Sequence, residues 1–451
     1  LCDDLGYGDV NILNPDGKIP TPNLDRLGSE GMIFTDAHSG SAVCTPTRYG
    51  ILTGRYCWRS RLKKSVLRGY SKHLIEKGRM TVASLLKEHG YHTAYIGKWH
   101  LGWDWHKTGP GEFDIDYTQP VQNGPKENGF IYSYGHCGSL DMAPYVYVEN
   151  GMPTAVPEKE TVRTKEEAKN GWWRKGATAP DFDHRDVLPN FTRRAINYVE
   201  EQAKTEQPFF LYLPYSSPHT PVLPSDEFKG KSGLDSAYAD FVMMNDAYIG
   251  KLLDTLEECG IAGNTLIIFT SDNGCSPQAD FEELEAQGHD PSYIYRGHKA
   301  DIFEGGHRIP FIVRWPAKVK AGSVCDDTTC LTDLLATCAD LIGAELPADA
   351  GEDSVSMLPN LLGTAEGPVR EATVHHSING TFSIRRGTWK FVDAPHSGGW
   401  SDPRPKNEKD WKDLPPVQLY DLESDPGETT NMQDQYPEVV AELSALLQQY
   451  K

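Results

Sequence analysis

The chain has 451 residues and a formal net charge of −20 at neutral pH. The length suits one large domain with a smaller companion. The acidic balance argues against nonspecific nucleic-acid binding and attachment to an anionic membrane, and no apolar run is long enough for a transmembrane helix. Nine cysteines at irregular spacings, with no CxxC pair, argue against a zinc site. Cys325 and Cys330 stand as a candidate bridge, while Cys2, Cys259 and Cys338 read as core. The chain opens without Met, inside a strand-like run, so a preceding segment is expected.

In chain order, short apolar runs alternate with helical patterns. Residues 92–97, 209–215, 265–271 and 311–315 read as buried strands. Thr81 caps a helix over 82–89 that stops at Gly90. Residues 103–185 are long, aromatic-rich and irregular, as expected of the rim of a pocket. Helices follow at 186–204, 236–258 and 331–342. The βαβα order predicts an α/β fold with a mostly parallel sheet flanked by helices. A Gly/Pro/Asp-rich stretch near 343–368 links to a second unit, with strands at 372–378, 381–385 and 389–393. A Trp/Pro-rich loop (395–416), a strand beginning at Gln418 and a final helix at 437–450 complete it. The division is a catalytic part, 1–360, and an α+β antiparallel C-terminal subdomain, 361–451.

Polar residues concentrate where the strands end. Asp3 and Asp4 follow the opening strand, Lys98 and His100 follow 92–97, His219 follows 209–215, and Asp272 and Asn273 follow 265–271. Ligands in open α/β sheets bind beyond the carboxyl ends of the strands, so four strand ends deliver this chemistry to one edge. Asp3, Asp4, Asp272 and Asn273 are oxygen donors of the kind taken by hard cations such as Ca²⁺ or Mg²⁺. Singly, Asp-Asp reads as a cap and Asp-Asn-Gly as a turn; two pairs at neighbouring strand ends favour a cation. Cys44 opens a helix through Ile51 whose free N–H groups favour an anion, and Arg48 lies one turn on.

Cys44-Thr45-Pro46-Thr47-Arg48 with Leu52-Thr53-Gly54-Arg55 resembles the maturation signal of type I, formylglycine-dependent sulfatases of the alkaline-phosphatase-like superfamily, bacterial carbohydrate sulfatases and arylsulfatases among them. Asp-Asp-Leu-Gly-Tyr-Gly-Asp (3–9), Thr-Pro-Asn-Leu-Asp-Arg-Leu (21–27), Gly-Lys-Trp-His-Leu-Gly (97–102), Pro-His-Thr-Pro (218–221), Thr-Ser-Asp-Asn-Gly (270–274) and Lys299 with Glu-Gly-Gly-His-Arg-Ile-Pro (304–310) resemble the family's motifs, in family order. Thr47 departs mildly from the commoner Ser. The resemblance implies that Cys44 is oxidised to formylglycine by a maturing enzyme. It further implies that Asp3, Asp4, Asp272, Asn273 and residue 44 hold Ca²⁺ or Mg²⁺. Arg48, Lys98 and Lys299 would neutralise the sulfate oxygens. Asp272 would take the proton of the attacking hydroxyl. His219, assisted by Lys299, would protonate the leaving sugar oxygen, and His100 would deprotonate the second hydroxyl to expel sulfate.

The substrate class implied is a sulfated galactose or N-acetylgalactosamine glycan or an algal polysaccharide, and the implied location is periplasmic or secreted. His106, Asp141, Arg296 and His298 are candidate substrate contacts. Trp103, Trp105, Tyr145, Trp172, Trp173 and Trp400 read either as sugar-stacking faces or as loop core. Two alternatives stand beside the sulfatase reading. A phosphodiesterase or phosphonate hydrolase of the same superfamily is disfavoured by one metal site with no extra histidine cluster. A noncatalytic sulfated-glycan-binding protein has no need of the Cys44 signal.

Overall fold

The architecture is that of a computed structural model, which describes residues 1–162 and 171–451. A five-stranded sheet runs in the order Met152–Pro153, Val148–Glu149, Tyr132–His136, His92–Lys98, Phe209–Tyr212. A four-stranded sheet runs Ile267–Thr270, Phe311–Arg314, Met32–Phe34, Ser323–Cys325. The opening residues join the two. Asp3 N–H donates to Ser217 O at 3.0 Å on one side and Cys2 N–H to Thr270 O at 2.8 Å on the other, through parallel bridges. The middle of the combined sheet, from Tyr132–His136 through Leu1–Asp3 to Ile267–Thr270, is therefore parallel, and antiparallel pairs flank it on both sides.

Local chemistry sets the helices. Thr81 accepts from Ser84 N–H and Ser236 from Ala239 N–H, capping Val82–Glu88 and Ala237–Glu258. Val187–Gln202 packs on Ala237–Glu258, and Val82–Glu88 on Leu334–Ile342. Four antiparallel strands, Thr373–His376, Phe382–Arg386, Trp389–Val392 and Gln418–Asp421, carry the helix Pro437–Tyr450. Their core, built from Val374, Ile384, Phe391, Leu419, Leu443 and Leu447, also takes in Tyr56, Trp58 and Cys330 from the larger part.

Two expectations are corrected. The stretch 103–185 is not only pocket rim: Tyr132–His136, Val148–Glu149 and Met152–Pro153 extend the central sheet. Their tyrosines and glycine lack the aliphatic run that marks a buried strand. Cys325 and Cys330 are free thiols, as are the other cysteines, and Cys259 is only half-buried.

Candidate active site

The parallel core brings the four strand ends together. Asp3 and Asp4 leave the sheet between the segment carrying His219 and the one carrying Asp272, and Lys98 and His100 leave it one strand further out. Asp4 and His100 take left-handed backbone angles, φ 66° and 55°, which non-glycine residues adopt only where the surroundings impose them. Gly274 lets the Asp272 loop press against the Glu304–His307 turn, since a Cβ there would meet Gly305 O at 1.8 Å.

Cys44 begins the helix Cys44–Thr53, which is buried along its whole length. Val43 offers no side-chain cap, so the helix's first N–H groups keep their partial positive charge. Thr47 hydroxyl donates to Ser41 O at 3.0 Å and to Val43 O at 3.2 Å, a place where either hydroxyl residue serves. The Cys44 sulfur and one carboxylate oxygen each of Asp3 and Asp272 lie within 4.8 Å of one another. Burial raises the Cys44 thiol, with Lys98 and Lys299 opposing.

Three buried carboxylates face three buried cations. Lys98 Nζ contacts Asp3, Lys299 Nζ donates to Asp4 Oδ2 at 2.7 Å, and Arg48 Nε donates to Asp272 Oδ2 at 2.8 Å. Burial alone would raise Asp3; the charges of Lys98, His219, Arg48 and Lys299 instead hold it well below the carboxylate range. Asp272 moves the opposite way, raised by burial and then by Asp3's negative charge. Burial would lower Lys299, yet Asp4 raises it, so it stays charged. Arg48 also donates to Lys98 O at 2.9 Å. Its guanidinium thus faces carboxylates and backbone, a tie the sequence did not indicate.

Asn273 donates to Asp4 Oδ1 at 2.7 Å, which leaves its own Oδ1 turned elsewhere. Asn273 Oδ1 and Asp3 Oδ1 are buried with no hydrogen-bond partner among the described residues. Orphaned acceptors in an all-oxygen donor set are what a hard cation satisfies, so the residues present fit one.

The two histidines differ. His100 Nε2–H donates to Leu67 O at 2.8 Å, which leaves Nδ1 as the lone-pair nitrogen, buried and without a partner among the described residues. Burial, then the charges of Lys98 and Arg48, push it well below the ordinary histidine value, so it is neutral. His219 Nδ1–H donates to Thr220 O at 2.6 Å, and Nε2 stands 3.7 Å from Asp4 Oδ2.

The outer candidates are dispersed. Asp141 is buried, ion-paired to Arg174, and its Oδ1 has no partner among the described residues. His106 is exposed on the rim. Arg296 donates to Glu428 O at 2.9 Å and lies over the Phe303 ring, lining a cavity of about 540 Å³ that the strand-end residues do not border. His298 turns its Nε2 to Ser401 at 3.1 Å. Trp103, Trp105 and Tyr145 are buried and are loop core: Trp103 and Trp105 pack edge to face, and Trp105 Nε1–H donates to Gly69 O at 3.0 Å.

An extra histidine cluster exists, contrary to expectation. His38, His307 and His375 meet in the core, His307 stacked on His375 at 3.8 Å. Asp36, Glu304, Arg385 and Lys390 surround them, and the strand-end site is separate. Its members are far apart in sequence, so no spacing announced it. His136 was also missed: it pairs with Lys98 across the sheet and its Nε2 meets Ser216 Oγ at 2.7 Å. Burial, then Lys98 and Arg48, lower it to about 3.

A parallel-centred sheet with this cluster at its carboxyl edge is equipped to hydrolyse an ester of a tetrahedral oxyanion. The chain belongs to the sulfatase family: the family model described as Sulfatase matches residues 1–344, and one described as N-sulphoglucosamine sulphohydrolase, C-terminal, matches 298–451. It is 36% identical over 490 aligned positions to an N-acetylgalactosamine-6-O-sulfatase of Bacteroides thetaiotaomicron, covering 100% of this chain and 92% of that protein. It is 32% identical to arylsulfatase A of Bos taurus, covering 100% and 85%. A solved 6S-sulfatase from a Bacteroides thetaiotaomicron locus for glycosaminoglycan metabolism superposes with a TM-score of 0.85 at 35% identity, covering 100% and 97%. A phosphonate monoester hydrolase from Silicibacter pomeroyi shares the fold alone, with a TM-score of 0.62 at 19% identity and covering 100% and 93%. Sulfatases of this family use a formylglycine and a divalent metal. Among the described residues no helix is long and apolar enough to cross a membrane.

Proposed function

We propose that this sulfatase removes sulfate from a carbohydrate, a galactose or N-acetylgalactosamine glycan, using formylglycine made from Cys44 and a Ca²⁺ or Mg²⁺ held by Asp3, Asp4, Asp272 and Asn273. The observation that carries the reading is the buried grouping of Cys44 with Asp3 and Asp272 at a helix N-terminus, beside Lys98 and Lys299. Formylglycine supplies a hydrated aldehyde, a nucleophile with a second hydroxyl, and the cation supplies charge that acidifies it. The chain's own residues do the rest. Asp272, raised by burial where Asp3 is held low, takes a proton from the attacking hydroxyl. Lys98 and Lys299 face the sulfate oxygens as charge builds, while Arg48 holds Asp272. His219, protonated on both nitrogens with Nδ1–H held by Thr220 O, gives its Nε2 proton to the leaving sugar oxygen and is left neutral. His100 Nδ1, neutral and unpartnered, takes the proton whose removal frees sulfate.

The galactosamine assignment is supported by the full-length similarity to the Bacteroides N-acetylgalactosamine-6-O-sulfatase. Asp141, with its buried unpartnered oxygen beside Arg174, is our candidate reader of a sugar hydroxyl. The division at residue 360 is supported by the four-stranded antiparallel sheet beyond it, which carries its own helix, Pro437–Tyr450. Periplasmic or secreted action fits a polymeric glycan substrate. A panel of 4- and 6-sulfated galactose and N-acetylgalactosamine oligosaccharides, with peptide mass spectrometry of residues 41–55, tests the proposal. An unconverted Cys44 in a host with the maturation machinery, or desulfation of glucosamine units only, overturns it.

A further inference from the structure

We infer that Asp9, Tyr238 and His289 form a positioning layer that sets the cation affinity of the site by clamping together the two loops that carry its ligands. The inference rests on the reading of Asp3, Asp4, Asp272 and Asn273 as cation ligands.

Asp9 is fully buried and its carboxylate is saturated. Oδ2 accepts from Gly6 N–H at 2.7 Å and from the Tyr238 hydroxyl at 2.5 Å, and Oδ1 accepts from His289 Nε2–H at 2.9 Å. His289 Nδ1 accepts from Lys18 N–H at 3.1 Å, which fixes the ring's proton on Nε2. Having given its proton to Asp9, the Tyr238 oxygen accepts from Cys275 Sγ at 3.2 Å and lies 3.2 Å from Asp4 O. One phenol is therefore hydrogen-bonded to both ligand loops, at Asp9 and at Cys275, two residues beyond Asn273. Ser271 works in parallel: its hydroxyl accepts from Leu5 N–H at 3.0 Å and donates to Asn273 O at 3.0 Å.

Asp4 sits at φ 66°, a conformation that relaxes unless held. Gly6 passes so close to Pro291 that a Cβ would lie 2.1 Å from its carbonyl oxygen. The 3–9 loop is thus fixed from behind by residues 289–291 and from the side by Tyr238. Among the described residues Asp9, Tyr238 and His289 bond to the ligand-bearing loops and not to Cys44, His100 or His219, so their effect reaches the chemistry through the cation ligands. Removing such outer partners of metal ligands typically costs 10–100-fold in metal affinity.

The test is Ca²⁺ titration calorimetry on the full chain after chelation, with kcat followed as a function of free Ca²⁺. Tyr238→Phe keeps the ring and deletes the clamp. It should weaken Ca²⁺ binding roughly 10–100-fold, with kcat recovered at saturating Ca²⁺ and sugar KM unchanged. His289→Leu should behave likewise. His289→Gln, whose amide both donates and accepts, should hold near-native affinity. A merely structural role would lower the melting temperature of the metal-free variants and leave the Ca²⁺ Kd alone; a native Kd in both Tyr238→Phe and His289→Leu overturns the inference. If the unaltered protein takes up neither Ca²⁺ nor Mg²⁺, the cation reading fails first and carries the inference with it.

Discussion

His219→Ala is the most discriminating perturbation of the proposed chemistry. The ring is held by Nδ1–H donation to Thr220 O at 2.6 Å, which aims Nε2 outward beside Asp4. If Nε2 delivers the proton to the leaving oxygen, its loss should matter in proportion to how badly that oxygen needs one. A sugar alkoxide is a poor leaving group and nitrophenolate a good one. General acid catalysis is worth ~10²–10⁴-fold, so kcat on a sulfated sugar should fall by about that factor and kcat on nitrophenyl sulfate by less than ~10-fold. His100→Ala supplies the contrast. Its unpartnered Nδ1 acts after the sugar has left, so both substrates should slow alike, with a burst of sugar release before slow turnover. Stopped-flow product release on the two substrates, at saturating Ca²⁺, reads both effects. Equal losses for His219→Ala on sugar and aryl substrates would refute the assignment and pass the acid role to Lys299, whose Nζ shares Asp4 with His219.

Cys44→Ser, produced where serine is not converted, should keep the fold and lose multiple turnover, because an ordinary hydroxyl lacks the second one that expels sulfate; continued turnover would sink the formylglycine mechanism. Chelation should abolish activity and Ca²⁺ should restore it, whereas two tightly bound zinc ions per chain by elemental analysis would move the protein to the phosphatase branch. Asp141→Asn should raise KM for the sugar while leaving kcat on nitrophenyl sulfate within ~3-fold, since one pocket hydrogen bond is worth ~0.5–1.5 kcal/mol; an unchanged sugar KM would remove Asp141 from the pocket. Stability should also fall on acidification. Burial lowers His38, His307, His375 and His376, the last to about 4. The unfolded chain then takes up protons first as pH drops below ~6.5, so stability present at neutral pH is lost at about 1.4 kcal/mol per pH unit for each such histidine. His376→Leu, which removes a buried ring with neither nitrogen hydrogen-bonded among the described residues, should reduce that slope by one proton in urea unfolding between pH 5 and 6.5; the same slope in both proteins would contradict the argument.

The sequence by itself determined what depends on local chemistry. Apolar runs and spacing, Thr81 at a helix start and Gly90 at its stop located the main elements, because capping and strand burial are written over a few adjacent residues. The strand-end rule then assembled Asp3, Asp4, Lys98, His100, His219, Asp272 and Asn273 without coordinates, since a parallel sheet puts its carboxyl ends on one edge whatever the loop lengths. Only the tertiary structure decided how those residues are joined. That Arg48 braces Asp272 follows from helix and sheet packing, as does the contrast between a carboxyl held low at Asp3 and one raised at Asp272. The histidine cluster of His38, His307 and His375 and the clamp of Asp9, Tyr238 and His289 draw on residues hundreds of positions apart. Arg296 and His298 read as substrate contacts, and Trp103 and Trp105 as either sugar-stacking faces or loop core, because composition does not say which way a side chain turns. The fold turned Arg296 and His298 to the C-terminal unit and buried Trp103 and Trp105, where their apolar area leaves water and their neighbours fill the core.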